Sequence, residues 1–285
     1  MLLVTAANGR LGQKIITALL KKTSADRIVA AARDPGKLVN TAAQKVQCRR
    51  ADYDIPSTLR SASANIDTLI LVPSPAPKTQ RIQQHRDVIA AARSNNVRTI
   101  VFVSFMDTRA DSPLPYAHIF ADTENALAES ALSWTNMRMP YYIDNLLYWL
   151  PKSLETGDIF SSAGDGRMPY VTQTDLAESI ATVATMEGHA GKTYELTGPE
   201  SLSYDDLATL ASDIYGKQVT YKALTAEAHQ HYLRSSGATE YRIEIALGLA
   251  AAIKEGAFDR VTTHVEQLAG YPPESVQSFF NCHPL

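Results

Sequence analysis

The apolar positions of this chain alternate between two periods. LLVTA at residues 2–6 is a short, mostly apolar run and predicts a buried strand. Leu11, Ile15, Ile16, Leu19 and Leu20 then recur at helical spacing. RIVAAAR (27–33) predicts a second strand, KVQCRRADY (45–53) a third, and DTLILVPSP (67–75) a fourth that Pro73 and Pro75 stop. Lys78 to Asn96 reads as a helix with Ile82, His85, Val88, Ile89 and Ala92 on one face. VRTIVFVSF (97–105) is nearly all apolar, as expected of a strand covered on both faces. A sixth strand ends before Met139. Strand–helix alternation of this kind predicts a parallel sheet with right-handed crossovers.

After Tyr141 the alternation decays into helices over about 174–187, 203–215, 224–235 and 239–255, interrupted by AGDGRMPYVT and GKTYELTGPESLS. The fold class expected is therefore α/β. Residues 1–140 form a Rossmann-type doubly wound parallel sheet. Residues 141–285 form a smaller, mainly helical C-terminal lobe that completes a cleft and returns in part to the core. No internal repeat or low-complexity segment is present.

Composition narrows the function. A chain of 285 residues with 45% hydrophobic positions can build a large core. Net charge is −3 and no basic block occurs, which speaks against a nucleic-acid surface. No apolar run approaches 18 residues, so no membrane span is expected, and no basic region precedes the first apolar run as it would in a signal peptide. Cys48 and Cys282 have no CxxC partner and read as inert thiols of a reduced, cytoplasmic protein. His229 and His231 are two apart on a predicted helix and would not share a face, so no metal site is expected.

The most informative local feature is TAANGRLG, directly after the first strand. A dinucleotide turn uses small residues to bend tightly, to let backbone approach the pyrophosphate, and to let helix pack against strand. Gly9 and Gly12 fill the second and third places, while Ala6 stands in the first. Alanine adds only a methyl group there, provided its backbone angles stay in an ordinary region. A helix starting near Arg10 would offer its free N–H groups and positive dipole end to the pyrophosphate. An ordinary strand-to-helix turn is the alternative, but the strand–turn–helix context at the chain start favours a dinucleotide. An acidic residue at the end of the second strand would bind the ribose 2′-hydroxyl, whereas Arg33 stands there with Lys37 nearby. A guanidinium pairs with a 2′-phosphate, so NADPH is favoured over NADH.

Taken together, VTAANGRLG, AARDPGK, ADYDIPSTL, HRDVIAAARSNNVRTIVFVS, NMRMPYYIDNLL, AGDGRMPYVTQTDLAESIA and KTYELTGPESLSYDDLA resemble the NmrA-like, atypical short-chain dehydrogenase/reductase family. Within it the chain looks most similar to the group of NADPH-dependent quinone oxidoreductases and triphenylmethane reductases. The resemblance implies that Ala6, Asn8, Gly9, Arg10, Leu11 and Gly12 line the pyrophosphate and that Arg33 and Lys37 hold the 2′-phosphate. It also implies Asp52 and Tyr53 near the adenine, and Val72, Pro73, Ser74, Ser104, Phe105 and Met106 along the ribose and nicotinamide. Met139, Pro140, Tyr141 and Tyr142 would wall the nicotinamide, with Tyr141, Tyr142 and His118 reaching the substrate and Arg167 a further substrate-side contact. For each of these strand-end residues, simple loop structure is the competing reading. Tyr148 and Trp149 read as core aromatics. A homodimer is left open.

Ordinary short-chain reductases carry a Tyr-x-x-x-Lys pair on the helix after the fifth strand. AHIFADTENALAES (117–130) has neither residue, and Asn125 takes the lysine's place. The Tyr148–Lys152 spacing occurs elsewhere, but Pro151 interrupts it. Without a positioned acid, hydride transfer suits an acceptor whose product is delocalised and weakly basic. The expected function is NADPH-dependent reduction of a quinone-like or other aromatic acceptor, with no catalytic residue assigned. The alternative is a non-catalytic NAD(P)-binding redox sensor. A sugar-nucleotide epimerase would need the missing tyrosine, and no nucleophile elbow supports a hydrolase.

Overall fold

A computed structural model describes residues 1–283; the last two residues of the expected lobe lie outside the described span. The central sheet is seven-stranded and wholly parallel. Its strands are β1 (Leu2–Val4), β2 (Ile28–Ala32), β3 (Gln47–Arg50), β4 (Thr68–Leu71), β5 (Thr99–Phe105), β6 (Ser133–Met139) and, out of sequence, β8 (Lys192–Glu195), in the order β3-β2-β1-β4-β5-β6-β8. The central strands are buried because helices cover both faces, which is why they read as apolar runs without alternation. The chain winds outward from β1 to β3, then restarts at β4 on the other side of β1. That reversal leaves a crevice at the carboxyl ends of β1 and β4, the place where open α/β sheets bind ligands.

Two apolar layers flank the sheet. On one face α1 (Arg10–Leu20) packs with α7 (Gln173–Thr185) and α11 (His264–Ala269), through Leu11, Ile15, Leu19, Leu176, Ile180 and Val265. On the other, α3 (Pro56–Ala62), α4 (Lys78–Ser94) and α5 (Ala117–Ala128) cover β4 and β5 through Leu59, Val88, Ile89, Phe102, Phe120 and Leu127. The periodic positions of α1 anticipated its buried face; the seventh strand was not anticipated. KTYE at 192–195 is half polar and is recruited by β6, not by an apolar pattern of its own.

The remaining helices α6 (Leu150–Thr156), α8 (Tyr204–Tyr215), α9 (Ala226–Ser235), α10 (Glu240–Lys254) and α12 (Val276–Cys282) surround a small parallel pair, β7 (Asp158–Ser161) with β9 (Thr220–Ala223). A short helix, α2 (Val39–Ala43), precedes β3. Five of the later helices start on a Thr or Ser whose hydroxyl accepts a backbone N–H from the first turn, which stabilises their N-termini. His229 faces inward and holds Ser162, whereas His231 is exposed, so the two diverge. Among the described residues no helix is long and apolar enough to cross a membrane.

Candidate functional site: a cleft over the sheet's carboxyl edge

One cleft of about 850 Å³ runs along the carboxyl ends of the strands, large for a small-molecule site. Its floor begins at the turn between β1 and α1. Gly9 caps α1 with ordinary extended angles (φ −75°), no side chain blocks the helix N-terminus, and no acidic residue occupies its first turn. The free N–H groups therefore face the cleft with their positive dipole end uncompensated. A Cβ on Gly12 would lie 2.6 Å from the Ala6 carbonyl oxygen and 2.8 Å from Ala7 Cα, so this glycine lets α1 sit directly on the turn. Ala6 departs from expectation. Its φ is +47°, in the left-handed region, where the Gly9 N–H bonds back to its carbonyl at 2.9 Å. The first place of the motif is thus the one that needs glycine's conformational freedom, and the chain carries the strain of an alanine there.

Beside the turn, Tyr53 ties three strand ends together. Its hydroxyl donates to the Val72 carbonyl at 2.6 Å and lies 2.8 Å from Thr5 Oγ1, which accepts the Val72 N–H. Burial pushes the Tyr53 phenol well above its ordinary range, so it stays protonated and structural. Asp52 is buried and its Oδ1 accepts the Asp54 N–H. Arg33 is exposed at the end of β2 and lines the cleft, while Asp34 is turned into its own loop by the Gly36 N–H at 3.0 Å. Opposite Arg33 stands Asp54, an unanticipated carboxylate. Gln80 and Gln84 donate to its Oδ1 at 2.8 and 2.7 Å, and these hydrogen bonds, with Arg33 contributing, hold its pKa below the usual range.

Of the residues singled out from sequence, Ala6, Asn8, Gly9, Arg10, Leu11, Gly12, Arg33, Asp52, Tyr53, Val72, Pro73, Ser74, Phe105, Met139, Tyr141 and Tyr142 come together along this cleft. Four do not. Lys37 is exposed in the turn beyond Arg33 and does not line the cleft. Ser104 is fully buried and donates to Glu124 at 2.6 Å, where Glu124 also pairs with Arg138. Met106 is buried in the core on the α5 side of the sheet. His118 lies on the exposed face of α5, because the inward face belongs to Ala117, Phe120 and Thr123. Tyr148 is not core: it is 64% exposed and stacks under Arg10, whose guanidinium carbon lies 4.9 Å from the ring centre. Arg167 holds the Ser201 carbonyl and Asp206 away from the cleft.

Most of the missed polar and aromatic lining residues sit in the first two turns of helices that follow strands: Gln80, Arg81 and Gln84 on α4, Tyr116 and Phe120 at α5, Asn145 after β6, and Gln173 on α7. Their signal was position, since the first turn after each strand faces the same edge of the sheet. Gln173 is 6% exposed, and its side-chain oxygen has no hydrogen-bond partner. A buried carboxamide oxygen left unpaired at the wall of a cleft is a group built for a ligand. Phe105 stacks on Phe120 at 5.7 Å, and Tyr141 meets Tyr170 edge-on, giving the far half of the cleft flat apolar walls. The open helix terminus, the Gly12 cradle, Arg33 at one end and the orphaned Gln173 together fit a phosphorylated dinucleotide.

Comparison with known proteins agrees with this geometry. A model of the NAD(P)H-binding family matches residues 6–187. The chain is 36% identical to quinone oxidoreductase 2 of Escherichia coli over 99% of both proteins. It superposes on the crystal structure of an NADPH-dependent quinone oxidoreductase from Escherichia coli complexed with NADPH, with a TM-score of 0.94, 33% identity and 98% of each chain covered. For the Citrobacter sp. triphenylmethane reductase complexed with NADP(H) the TM-score is 0.91, at 32% identity and 98% coverage of each chain. With the glycine turn, the parallel sheet and the cleft all in place, the chain belongs to the NAD(P)H-binding family.

Proposed function

We propose that this NAD(P)H-dependent oxidoreductase uses NADPH to reduce a quinone-like acceptor, without a Tyr-Lys catalytic pair. The observation that carries the reading is one continuous cleft with a phosphate-binding turn at one end and stacked aromatic walls at the other. When bound, the reduced dinucleotide supplies a hydride. The chain's own residues bind and orient: the α1 N-terminus and Arg10 would take the pyrophosphate, Arg33 the 2′-phosphate, and Gln173 a hydrogen-bond donor of the cofactor. Met139, Tyr141 and Phe105 would place two flat rings face to face and exclude water, supplying catalysis by proximity. Residues from Tyr141 onward would form the substrate-side lobe, with α7 and β8 returned to the core.

Helix α5 carries neither tyrosine nor lysine, so no paired acid stands behind the acceptor. A quinone needs none, because its reduction gives a delocalised oxyanion of low basicity. Mixing purified protein with NADPH and a simple quinone should consume the reduced-nicotinamide absorbance. Tight NADPH binding with no turnover over a broad quinone and dye panel would defeat the reading. It would favour instead a redox sensor, recognised by different affinities for oxidised and reduced cofactor. We place the protein in a reducing cytoplasm on its two unpaired thiols.

A further inference from the structure

Arg81 lies in the first turn of α4 and lines the cleft, yet is only 6% exposed. A guanidinium cannot shed its proton, so this is a buried permanent charge. Its Nε donates to the Ala76 carbonyl at 3.0 Å, and its guanidinium carbon lies 5.0 Å from the ring centre of Tyr116. It forms no ion pair among the described residues, whereas the half-buried Arg138 on β6 is clamped by Glu124. The two carboxylates of the cleft, Asp52 and Asp54, have other partners, Asp52 accepting the Asp54 N–H. Asp54 is held by Gln80 and Gln84, which flank Arg81 on α4, and makes no ion pair with it. His85, one turn below Arg81, adds no charge: burial pushes its pKa down to about 3, and its Nδ1 faces Thr123 on α5. A buried cation with no anion is costly, and such a group is retained where a ligand completes it.

The cofactor's own phosphates have other partners. The phosphate turn heads α1 on one face of the sheet, and Arg33 stands at the end of β2. Arg81 and Tyr116 instead bridge α4 and α5 on the opposite face, close to the Phe105–Phe120 stack. We propose that Arg81, held over the Tyr116 ring, is the oxyanion-binding group of the acceptor site and selects neutral or anionic oxygen acceptors against permanently cationic dyes. This rests on the oxidoreductase reading above and names its substrate class. Hydride addition to a quinone brings two electrons and one proton and leaves the hydroquinone monoanion. Its oxygen forms a charge-assisted hydrogen bond to Arg81, and water at the open cleft supplies the second proton. Burial raises the Tyr116 phenol, helped by the neighbouring Tyr241 hydroxyl, so Tyr116 stays neutral and does not quench the guanidinium. A triarylmethyl cation would instead meet like charge in a desolvated pocket.

The test compares 1,4-naphthoquinone, its sulfonate and a cationic triarylmethyl dye as acceptors for the NADPH-loaded protein. Wild type should prefer the sulfonate and the neutral quinone to the dye. Arg81→Gln should lower kcat/KM for both quinones by about 10- to 100-fold, in line with loss of one charge-assisted hydrogen bond, and raise relative activity on the dye. Arg81→Lys should recover part of the quinone activity, and NADPH affinity should stay within about twofold of wild type. Unchanged acceptor ratios in Arg81→Gln would overturn the proposal, as would a proportional loss of NADPH affinity, which would assign Arg81 to the cofactor. A second measurement needs no variant: the NADPH-loaded wild type, whose nicotinamide ring is uncharged, should bind a naphthoate at least about tenfold tighter than a naphthylmethylammonium, a difference read as the sign of the site. Equal or reversed affinities refute the assignment. Absence of turnover with every acceptor, beside the expected naphthoate preference, would sink only the enzymatic reading and leave the anion site standing.

Discussion

Substituting Gly12 by alanine should damage both the fold and the cofactor site, and the geometry sets how much. The new Cβ would meet the Ala6 carbonyl oxygen at 2.6 Å and Ala7 Cα at 2.8 Å, both backbone atoms of the turn that feeds the helix. Neither can swing away as a side-chain tip would, so α1 must lift from β1 by several tenths of an ångström along its first turns. Overpacking of this kind costs about 1–3 kcal/mol, and backbone neighbours place it in the upper half of that range. For a chain of this size each kcal/mol lowers Tm by about 2–4 °C, giving a fall of about 5–10 °C for the cofactor-free protein. Displacing the helix N-terminus should also weaken NADPH binding by about tenfold or more, equivalent to about 1.4 kcal/mol. Gly9→Ala is the control. Its Cβ would meet a single atom, the Ala6 oxygen, at 3.2 Å with φ at −75°, so the apo fold should lose under about 1 kcal/mol. Its methyl would still stand where backbone is expected to approach phosphate. Scanning calorimetry of apo proteins and fluorescence titration with NADPH separate the two effects. An apo Tm for Gly12→Ala at the wild-type value, or a larger apo loss in Gly9→Ala, would refute the reasoning.

Arg33→Gln should cost NADPH about 10- to 100-fold in affinity, one charge-assisted pair, while leaving NADH within a factor of two; equal losses for both cofactors would remove Arg33 from the 2′-phosphate. His118→Ala should leave kcat/KM unchanged, since its side chain sits on the exposed face of α5, and a tenfold loss would reinstate it at the site. Ser104→Ala should cost about 0.5–1.5 kcal/mol of stability through Glu124 without altering NADPH affinity; a selective loss of binding would count against its structural role. His85 is held neutral with a pKa of about 3 against 6.5 unfolded, so the unfolded chain gains a proton first as pH falls. Stability should therefore drop below pH 6.5 by up to about 1.4 kcal/mol per unit, and His85→Leu should remove about one proton from the slope measured by urea denaturation between pH 6.5 and 5. An unchanged slope would show that His85 does not carry it.

The sequence made the sheet legible where burial was two-sided. β1, β2, β4 and β5 announce themselves as apolar runs because helices cover both faces. β8 did not, because an edge strand with one exposed flank needs no such run and takes its register from β6. The same contrast governs the cleft. Residues at strand ends could be placed by counting from the runs, but a β-strand's last residues alternate between edge and interior. Alternation holds from Ile100 to Ser104 but breaks at Phe105, which stacks on Phe120 of α5 and reaches the cleft, while Ser104 bonds Glu124 and Met106 enters the core. Residues on helix first turns carried no motif at all. Arg81 reads in sequence as one polar residue among many in KTQRIQQHR, and only the packing of α4 on α5 reveals that it is buried and unpaired.

Ala6 shows how far context outweighs a single motif position. Its left-handed backbone costs about 1–2 kcal/mol that glycine would not incur, and part of that is returned because alanine gives up less entropy than glycine on folding. The turn holds because its neighbours over-determine it. The Ala7 N–H is fixed to Ala31 of β2, the Gly9 N–H closes on the Ala6 carbonyl, and α1 is pressed down on both through Gly12. A site can therefore lose the most recognisable residue of its signature while keeping its geometry, provided the close contact lies elsewhere. Here it lies at Gly12, where a Cβ has no room, and that glycine carries more of the site than the first residue of the pattern.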